Sequence, residues 1–201
     1  MEDSKQKITG ILLAGGLSKR MGREKGVMKI GNRKLFEYPL RILEILCDEI
    51  LISTCKDSSP AMSYPAICDE KRGIGPMGGI HACLKRSSSE LNIVLSYDMP
   101  LVNEGLLRFL IQESPGYEMV VPALQKERPE PLCGIYRKSV VEIFSELIEE
   151  KSYAVHRAIS QTRSRVVIIE PAMPFYRDNL FLNINRVEDL EELPVGFGNE
   201  W

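Results

Sequence analysis

The apolar positions of the chain fall into short continuous runs and longer periodic ones. Residues 8–14 form a continuous apolar stretch that ends in glycines, the pattern of a strand buried on both faces of a parallel sheet. Within 35–46, Leu35, Phe36, Leu40, Ile42, Leu43 and Leu46 recur at the spacing of one helical face. A strand follows at 49–54, then a short run at 65–68, a glycine-rich loop, a helical stretch at 79–86 and a second buried strand at 91–97. The segment 103–112 reads as a helix capped by Asn103, with Glu104 in its first turn, where a carboxylate meets the positive end of the helix dipole. Strands at 119–123 and 132–136 flank a polar turn at 125–130. An amphipathic helix at 138–150 presents Val140, Val141, Phe144, Leu147 and Ile148, and a short helix at 155–159 leads into a strand at 165–169. A strand at 181–184 and a helix at 187–193 close the pattern.

Strands alternating with helices, the strands largely apolar, predict an α/β fold: a three-layer αβα arrangement around an open, Rossmann-like, mostly parallel sheet covered on both faces. One domain over 1–201 is expected. In such sheets ligands gather at the carboxyl ends of the strands where the strand order reverses. Gly15 follows the first strand, Asp69 the third and Asp98 the fourth, so the candidate chemistry sits where that rule places it.

Composition narrows the class. With 44% hydrophobic and 27% charged residues the chain is an ordinary globular protein, and its net charge of -2 supplies no basic field for nucleic acid or anionic membrane. No apolar run approaches the roughly 18 residues of a membrane span, and the charged N-terminus lacks a signal-peptide pattern, so a cytoplasmic location is expected. The five cysteines are scattered and never spaced as Cys-x-x-Cys, which predicts reduced thiols with neither a disulfide framework nor a zinc site.

The strongest chemical signal is Leu13-Ala14-Gly15-Gly16-Leu17-Ser18-Lys19-Arg20-Met21-Gly22-Arg23-Glu24-Lys25, a glycine loop after a buried strand with four basic side chains. Glycines let backbone N–H groups approach phosphate oxygens, and Lys and Arg offset triphosphate charge. It is neither a Walker A loop nor a G-x-G-x-x-G dinucleotide loop. A mobile turn with solvated charge is the plain alternative, and the position after the first strand weighs against it.

Leu13 to Lys25, read as LAGG-x-S-x-R-M-G-x-x-K, resembles the opening signature of the pyrophosphorylase-type nucleotidyltransferases, and among them the molybdenum cofactor guanylyltransferases. Ile67-Cys68-Asp69, Gly75-Pro76-Met77-Gly78-Gly79, Asp98-Met99-Pro100, Pro131-Leu132-Cys133-Gly134-Ile135-Tyr136 and Asn183-Ile184-Asn185 follow in the same order, across almost the whole chain. The resemblance implies a mixed central sheet of the nucleotide-diphospho-sugar transferase type, with the part up to about residue 100 binding nucleotide and the remainder binding an acceptor. It also implies transfer of GMP from GTP to the phosphate of molybdenum-bound molybdopterin, with Mg²⁺ as cofactor and pyrophosphate released. Arg20, Lys25 and Asp98 are then the catalytic residues. Leu13, Ala14, Gly15, Lys25, Asp69 and Asp98 would bind GTP, with Asp98 holding the metal and Asp69 contacting guanine. Molybdenum-cofactor insertion proteins and target molybdoenzymes are further implied partners, and a monomer is the working expectation.

Physical chemistry runs beside the resemblance. Phosphoryl chemistry is mainly positioning and electrostatic stabilisation, which Lys25 and Arg20 suit. Mg²⁺ takes a few carboxylates plus phosphates and water, which suits Asp98; capping of the following helix is the alternative role, for which Asn103 is better placed. Asp69 fits either the N–H groups of guanine or a turn bonded to its own backbone. Leu-Ala-Gly-Gly, where cytidylyl relatives usually read Leu-Ala-Ala-Gly, points to a purine. The sequence departs from the family pattern at Glu24, in a loop one residue shorter before Lys25, at Ser53-Thr54 where an asparagine is expected, and at Arg128-Pro129-Glu130-Pro131. Asn183 and Asn185 suit either the ligand edge or a helix cap. His81 and His156 read as packing or surface residues and Cys133 as a small buried one. A cytidylyl, sugar-phosphate or cobinamide-phosphate transferase of the same fold, and a non-catalytic GTP or molybdopterin carrier, are the competing readings; retention of Lys25 and Asp98 weighs against the carrier.

Overall fold

The computed structural model describes residues 6–14, 28–55, 63–71, 73–124 and 128–198. The expectations for Gly15, Arg20 and Lys25 lie outside the described residues. A seven-stranded sheet has the order β5-β4-β1-β6-β8-β7-β9. Its strands are β1 (Ile8–Leu13), β4 (Glu49–Ser53), β5 (Ala66–Ile67), β6 (Leu91–Ser96), β7 (Met119–Leu124), β8 (Cys133–Arg137) and β9 (Ser164–Ile169). Neighbours pair in parallel except that β8 runs antiparallel to both β6 and β7, so the sheet is mixed, with β8 the one reversed strand among the described residues.

Helices α1 (Glu37–Leu46) and α3 (Glu104–Gln112) cover one face, and α2 (Pro76–Arg86), α4 (Val140–Glu149) and α5 (Val155–Gln161) the other. Successive residues of β1 serve both sides: Leu12 belongs to the core that holds Leu43, Leu106 and Leu110, whereas Ile11 and Leu13 belong to the one that holds Met77, Ile80 and Phe144. This is why β1 is apolar without alternation. As predicted, Asn103 caps α3, its side chain accepting the Leu106 N–H at 3.0 Å.

The structure corrects the sequence expectations in four places. Strands β2 (Lys29–Ile30) and β3 (Arg33–Lys34) form a small antiparallel hairpin that two-residue segments are too short to announce by period. Helix α2 begins at Pro76, so Gly78 and Gly79 belong to its first turn instead of a loop; proline is pre-set for that position, and Gly75 before it has φ +71°. The segment 181–184 is no strand. β6 already has β1 on one side and β8 on the other, and Ile184 instead donates its N–H to the Asp98 carbonyl at 2.9 Å, beyond the strand end. The closing helix is reduced to a 3-10 turn, Glu188–Glu192.

A third, smaller cluster of Met28, Ile30, Leu35, Tyr38 and Ile184 ties the hairpin, the start of α1 and the C-terminal segment together. Tyr38 donates to the Ile30 carbonyl at 2.7 Å and stacks on Phe197 with ring centroids 5.1 Å apart. The C-terminal segment is thereby held beside the carboxyl end of β6. Among the described residues no helix is long and apolar enough to cross a membrane.

Candidate active site

From β1 the chain passes to β4 and β5 on one side, and β6 then returns to the other side of β1, so the strand order reverses there. Such a reversal opens a crevice at the carboxyl ends of the strands. Leu13 is in register with Ser53 on β4 and Ser96 on β6. The ladder extends one step: Ala14 N–H donates to Ser53 carbonyl at 3.1 Å, and Tyr97 N–H to Leu13 carbonyl at 3.2 Å. Of the expected nucleotide-binding residues, Leu13, Ala14, Asp69 and Asp98 are therefore placed at one edge, with Leu13 itself buried.

Asp69 follows β5 and leans on the first turn of α2. A Cβ on Gly78 would stand 3.1 Å from Asp69 Oδ2, and one on Gly79 would stand 3.4 Å from Oδ1. The glycine pair thus admits a carboxylate at the amino end of a helix, where the dipole favours negative charge. Burial raises the Asp69 carboxyl above its ordinary value, partly countered by its own backbone N–H. Ser53, standing where an asparagine was expected, is buried with its hydroxyl against Gly79.

Asp98 lies two residues past the end of β6, half-buried. Ser96 donates its hydroxyl to Asp98 Oδ1 at 2.6 Å and fixes the carboxylate's direction. The Asp98 carbonyl accepts the Ile184 N–H, which brings Asn183 and Asn185 alongside. The Asn183 amide donates to the Phe181 carbonyl at 3.1 Å and that of Asn185 to the Asn183 carbonyl at 3.2 Å. The N–H groups of Asn185 and Arg186 are taken by Asp189 Oδ2 at 2.6 and 2.8 Å, so Asp189 supplies the cap considered for the asparagines.

Two residues at this edge escaped the motif reading. Ser96 was legible only as a hydroxyl two positions before Asp98. Glu130 stood out in sequence as a departure, and in the structure it closes the turn into β8, its side chain bent back onto the Leu132 N–H. Burial raises its carboxyl; the Leu132 N–H, donating to Oε1 at 3.0 Å, and His156 lower it, and the Asp98 charge adds to the rise.

His81 is buried between α2 and α4 with Nε2 2.9 Å from Ser145 Oγ, and burial lowers its pKa. Since Ser145 donates its own proton to the Val141 carbonyl, His81 is the donor to Ser145. Exposed His156 donates from Nε2 to the Pro129 carbonyl at 2.9 Å. Cys133 is fully buried, which pushes its thiol well above the range of a nucleophile. The expectation of five reduced thiols fails: Cys55, just past β4, and Cys68, just past β5, are joined by a disulfide, leaving Cys47, Cys83 and Cys133 free. Residues 13 apart in sequence are brought together by the pairing of β4 with β5, a contact that spacing rules do not see.

Among the described residues no three His, Cys, Asp or Glu side chains group into a metal site. Asp98 is nonetheless a fitting donor for Mg²⁺, which is held by one or two carboxylates while nucleotide phosphates and water supply the rest.

Residues 10–166 match the family model described as a MobA-like NTP transferase domain. A probable molybdenum cofactor guanylyltransferase of Carboxydothermus hydrogenoformans is 29% identical over 94% of this chain and 95% of its own length. One from Thermococcus gammatolerans is 32% identical over 93% and 99%. Among solved structures, molybdopterin-guanine dinucleotide biosynthesis protein A of Archaeoglobus fulgidus superposes with a TM-score of 0.75 at 25% identity, covering 92% of this chain and 95% of the other. A 4-diphosphocytidyl-2C-methyl-D-erythritol synthase of Anaerococcus prevotii, 14% identical with a TM-score of 0.69 over 93% and 96%, shares the fold.

Proposed function

The chain belongs to the MobA-like NTP transferase family, and on that premise we propose that it transfers GMP from GTP to the phosphate of molybdenum-bound molybdopterin. The observation that carries this reading is the meeting of Ala14, Asp69 and Asp98 at one carboxyl edge, where β1 and β6 flank the reversal of strand order. The relatives' names supply the base and the acceptor.

In the reaction an oxygen of the acceptor phosphate attacks the α-phosphorus of GTP. The bond from that phosphorus to the bridging α–β oxygen breaks, and pyrophosphate leaves with the electron pair. Asp69, held against the amino end of α2, accepts from the guanine N–H groups. Asp98, aimed by Ser96, is the residue that would hold Mg²⁺. When bound, that ion neutralises charge on the phosphate oxygens and the leaving pyrophosphate. Gly15, Lys25 and Arg20, outside the described residues, take the phosphates on sequence grounds. Molybdenum-cofactor insertion proteins and molybdoenzymes are the partners this chemistry would serve.

The test is pyrophosphate release by the purified protein with Mg²⁺ and each of GTP, CTP and ATP, with and without molybdenum-loaded molybdopterin. Release confined to GTP with the pterin is expected. Pterin-dependent release with CTP would move the chain to a cytidylyl reading, and no release with any pair would remove molybdopterin as acceptor.

A further inference from the structure

Asp69 follows directly on the disulfide that joins β4 to β5. Both cysteines are exposed, while Asp69 is half-buried. Among the described residues β5 is a two-residue edge strand, with Ala66 exposed and Ile67 only partly buried, so packing holds it weakly. Its ladder to β4 is equally short: the Ile52 N–H donates to the Pro65 carbonyl and the Thr54 N–H to the Ile67 carbonyl, each at 2.9 Å. β4 is the fixed partner, because Ile52, Ser53 and Thr54 are buried and Ser53 stands against Gly79 in the first turn of α2. The disulfide extends that frame by one covalent link to the residue before Asp69. Beyond Asp69 the next tie is Glu70 Oε1 to Lys85 Nζ at 2.6 Å, an ion pair exposed at both ends and so worth little. The position of the carboxylate is demanding, since its oxygens stand 3.1 and 3.4 Å from where Cβ atoms on Gly78 and Gly79 would be.

Resting on the reading of Asp69 as the guanine contact, we propose that the Cys55–Cys68 disulfide is a redox-sensitive positioning element for base recognition: oxidised, it holds Asp69 against α2 for the guanine N–H groups, and reduced, it releases that hold and the preference for GTP over ATP falls. The reductant is a dithiol. Its thiolate attacks one exposed sulfur, the protein S–S bond breaks, and the other cysteine leaves as thiolate. The reagent's second thiol then displaces the first cysteine from the mixed disulfide. Two electrons and two protons pass to the protein, which ends with two thiols, and the reagent ends as a cyclic disulfide. The groups assigned to the triphosphate, Gly15, Arg20, Lys25 and Asp98, belong to other segments of the chain than β4 and β5, so the effect falls on the base.

Calorimetric titration of the full chain with GTP and with ATP, each with Mg²⁺, reads this role without turnover. The protein is compared after incubation with glutathione disulfide and after reduction with dithiothreitol, its thiols counted by alkylation and mass spectrometry. Reduction is expected to weaken GTP about tenfold, to leave ATP within about twofold, and to be reversed on reoxidation. The double variant Cys55→Ser, Cys68→Ser should bind as reduced wild type does under both conditions; should it fail to fold, the reduced and reoxidised wild type carries the comparison. Asp69→Ala should bind GTP equally in both states, because the effect passes through that carboxylate. Unchanged GTP affinity on reduction, equal weakening of both nucleotides, an Asp69→Ala variant that still responds, or a pair that stays as thiols in glutathione disulfide would overturn the switch while leaving the guanylyl reading intact. An oxidised wild type that binds ATP as tightly as GTP would overturn both.

Discussion

The side chain of Ser53 occupies the space that a Cβ on Gly79 would need: its Oγ lies inside clashing distance of that position and its own Cβ would be 3.2 Å away. β4 and α2 therefore touch at the ligand edge with nothing to spare. Gly79→Ala should destabilise by about 1–3 kcal/mol, measured by urea unfolding. Ser53→Ala in the same chain should restore a large part of that loss, because it removes the clashing oxygen, and the two changes are coupled through direct contact. Additive effects would show that the loss arises elsewhere.

Asp98→Ala is expected to lower turnover at least about a hundredfold, the scale of losing a group that organises transition-state charge. Thermal stability should stay within about 1 kcal/mol, since the side chain is only half-buried. Lys25→Ala should show the same pattern. Near wild-type transfer by either variant would end its assignment.

Asp69→Ala should weaken GTP more than ATP, measured by calorimetric titration of each nucleotide. An unchanged ratio of affinities would leave the guanine to backbone groups, and Asp69 to its contact with the first turn of α2.

At the opposite edge of the sheet, Glu49 Oε2 accepts from Thr9 Oγ1 at 2.7 Å and from the Ser88 N–H and hydroxyl at 3.0 and 2.8 Å. Burial alone raises this carboxyl, but the Ser88 N–H, the two hydroxyls and Arg86 outweigh it and hold the folded pKa below its ordinary 4.5. A depressed carboxyl stabilises the fold above its unfolded pKa, and that contribution is lost as pH falls from about 4.5 through the folded value. Glu49→Gln should cost about 1–2 kcal/mol near neutrality and flatten the acid limb of a stability-versus-pH curve. An acid limb as steep as wild type's would assign it to other carboxylates.

Alkylation of the denatured protein without reductant should label Cys47, Cys83 and Cys133 and leave Cys55 and Cys68 unlabelled, as read by mass spectrometry. Cys68→Ser should lower stability by roughly 3 kcal/mol, the chain-entropy scale for a loop of this length, and excess dithiothreitol should abolish the difference. Five labelled cysteines would show the pair to be reduced.

The sequence by itself determined the features that are local in the chain. The continuous apolar run of β1, the helical stripe of α1 and the Asn103 cap each announce themselves within a dozen residues, because burial period and capping chemistry are set by neighbours along the backbone. The ordered motifs from Leu13 to Asn185 carried the family. Only the tertiary structure decided what depends on pairing between distant segments. It set the reversed β8 between β6 and β7, the β4–β5 contact that joins Cys55 to Cys68, and the glycines of α2 as room for Ser53 and Asp69. It also denied 181–184 a place in the sheet, since both sides of β6 were taken. Strand order and register are chosen by which faces bury together and which edges remain open, and no stretch of sequence contains that competition on its own.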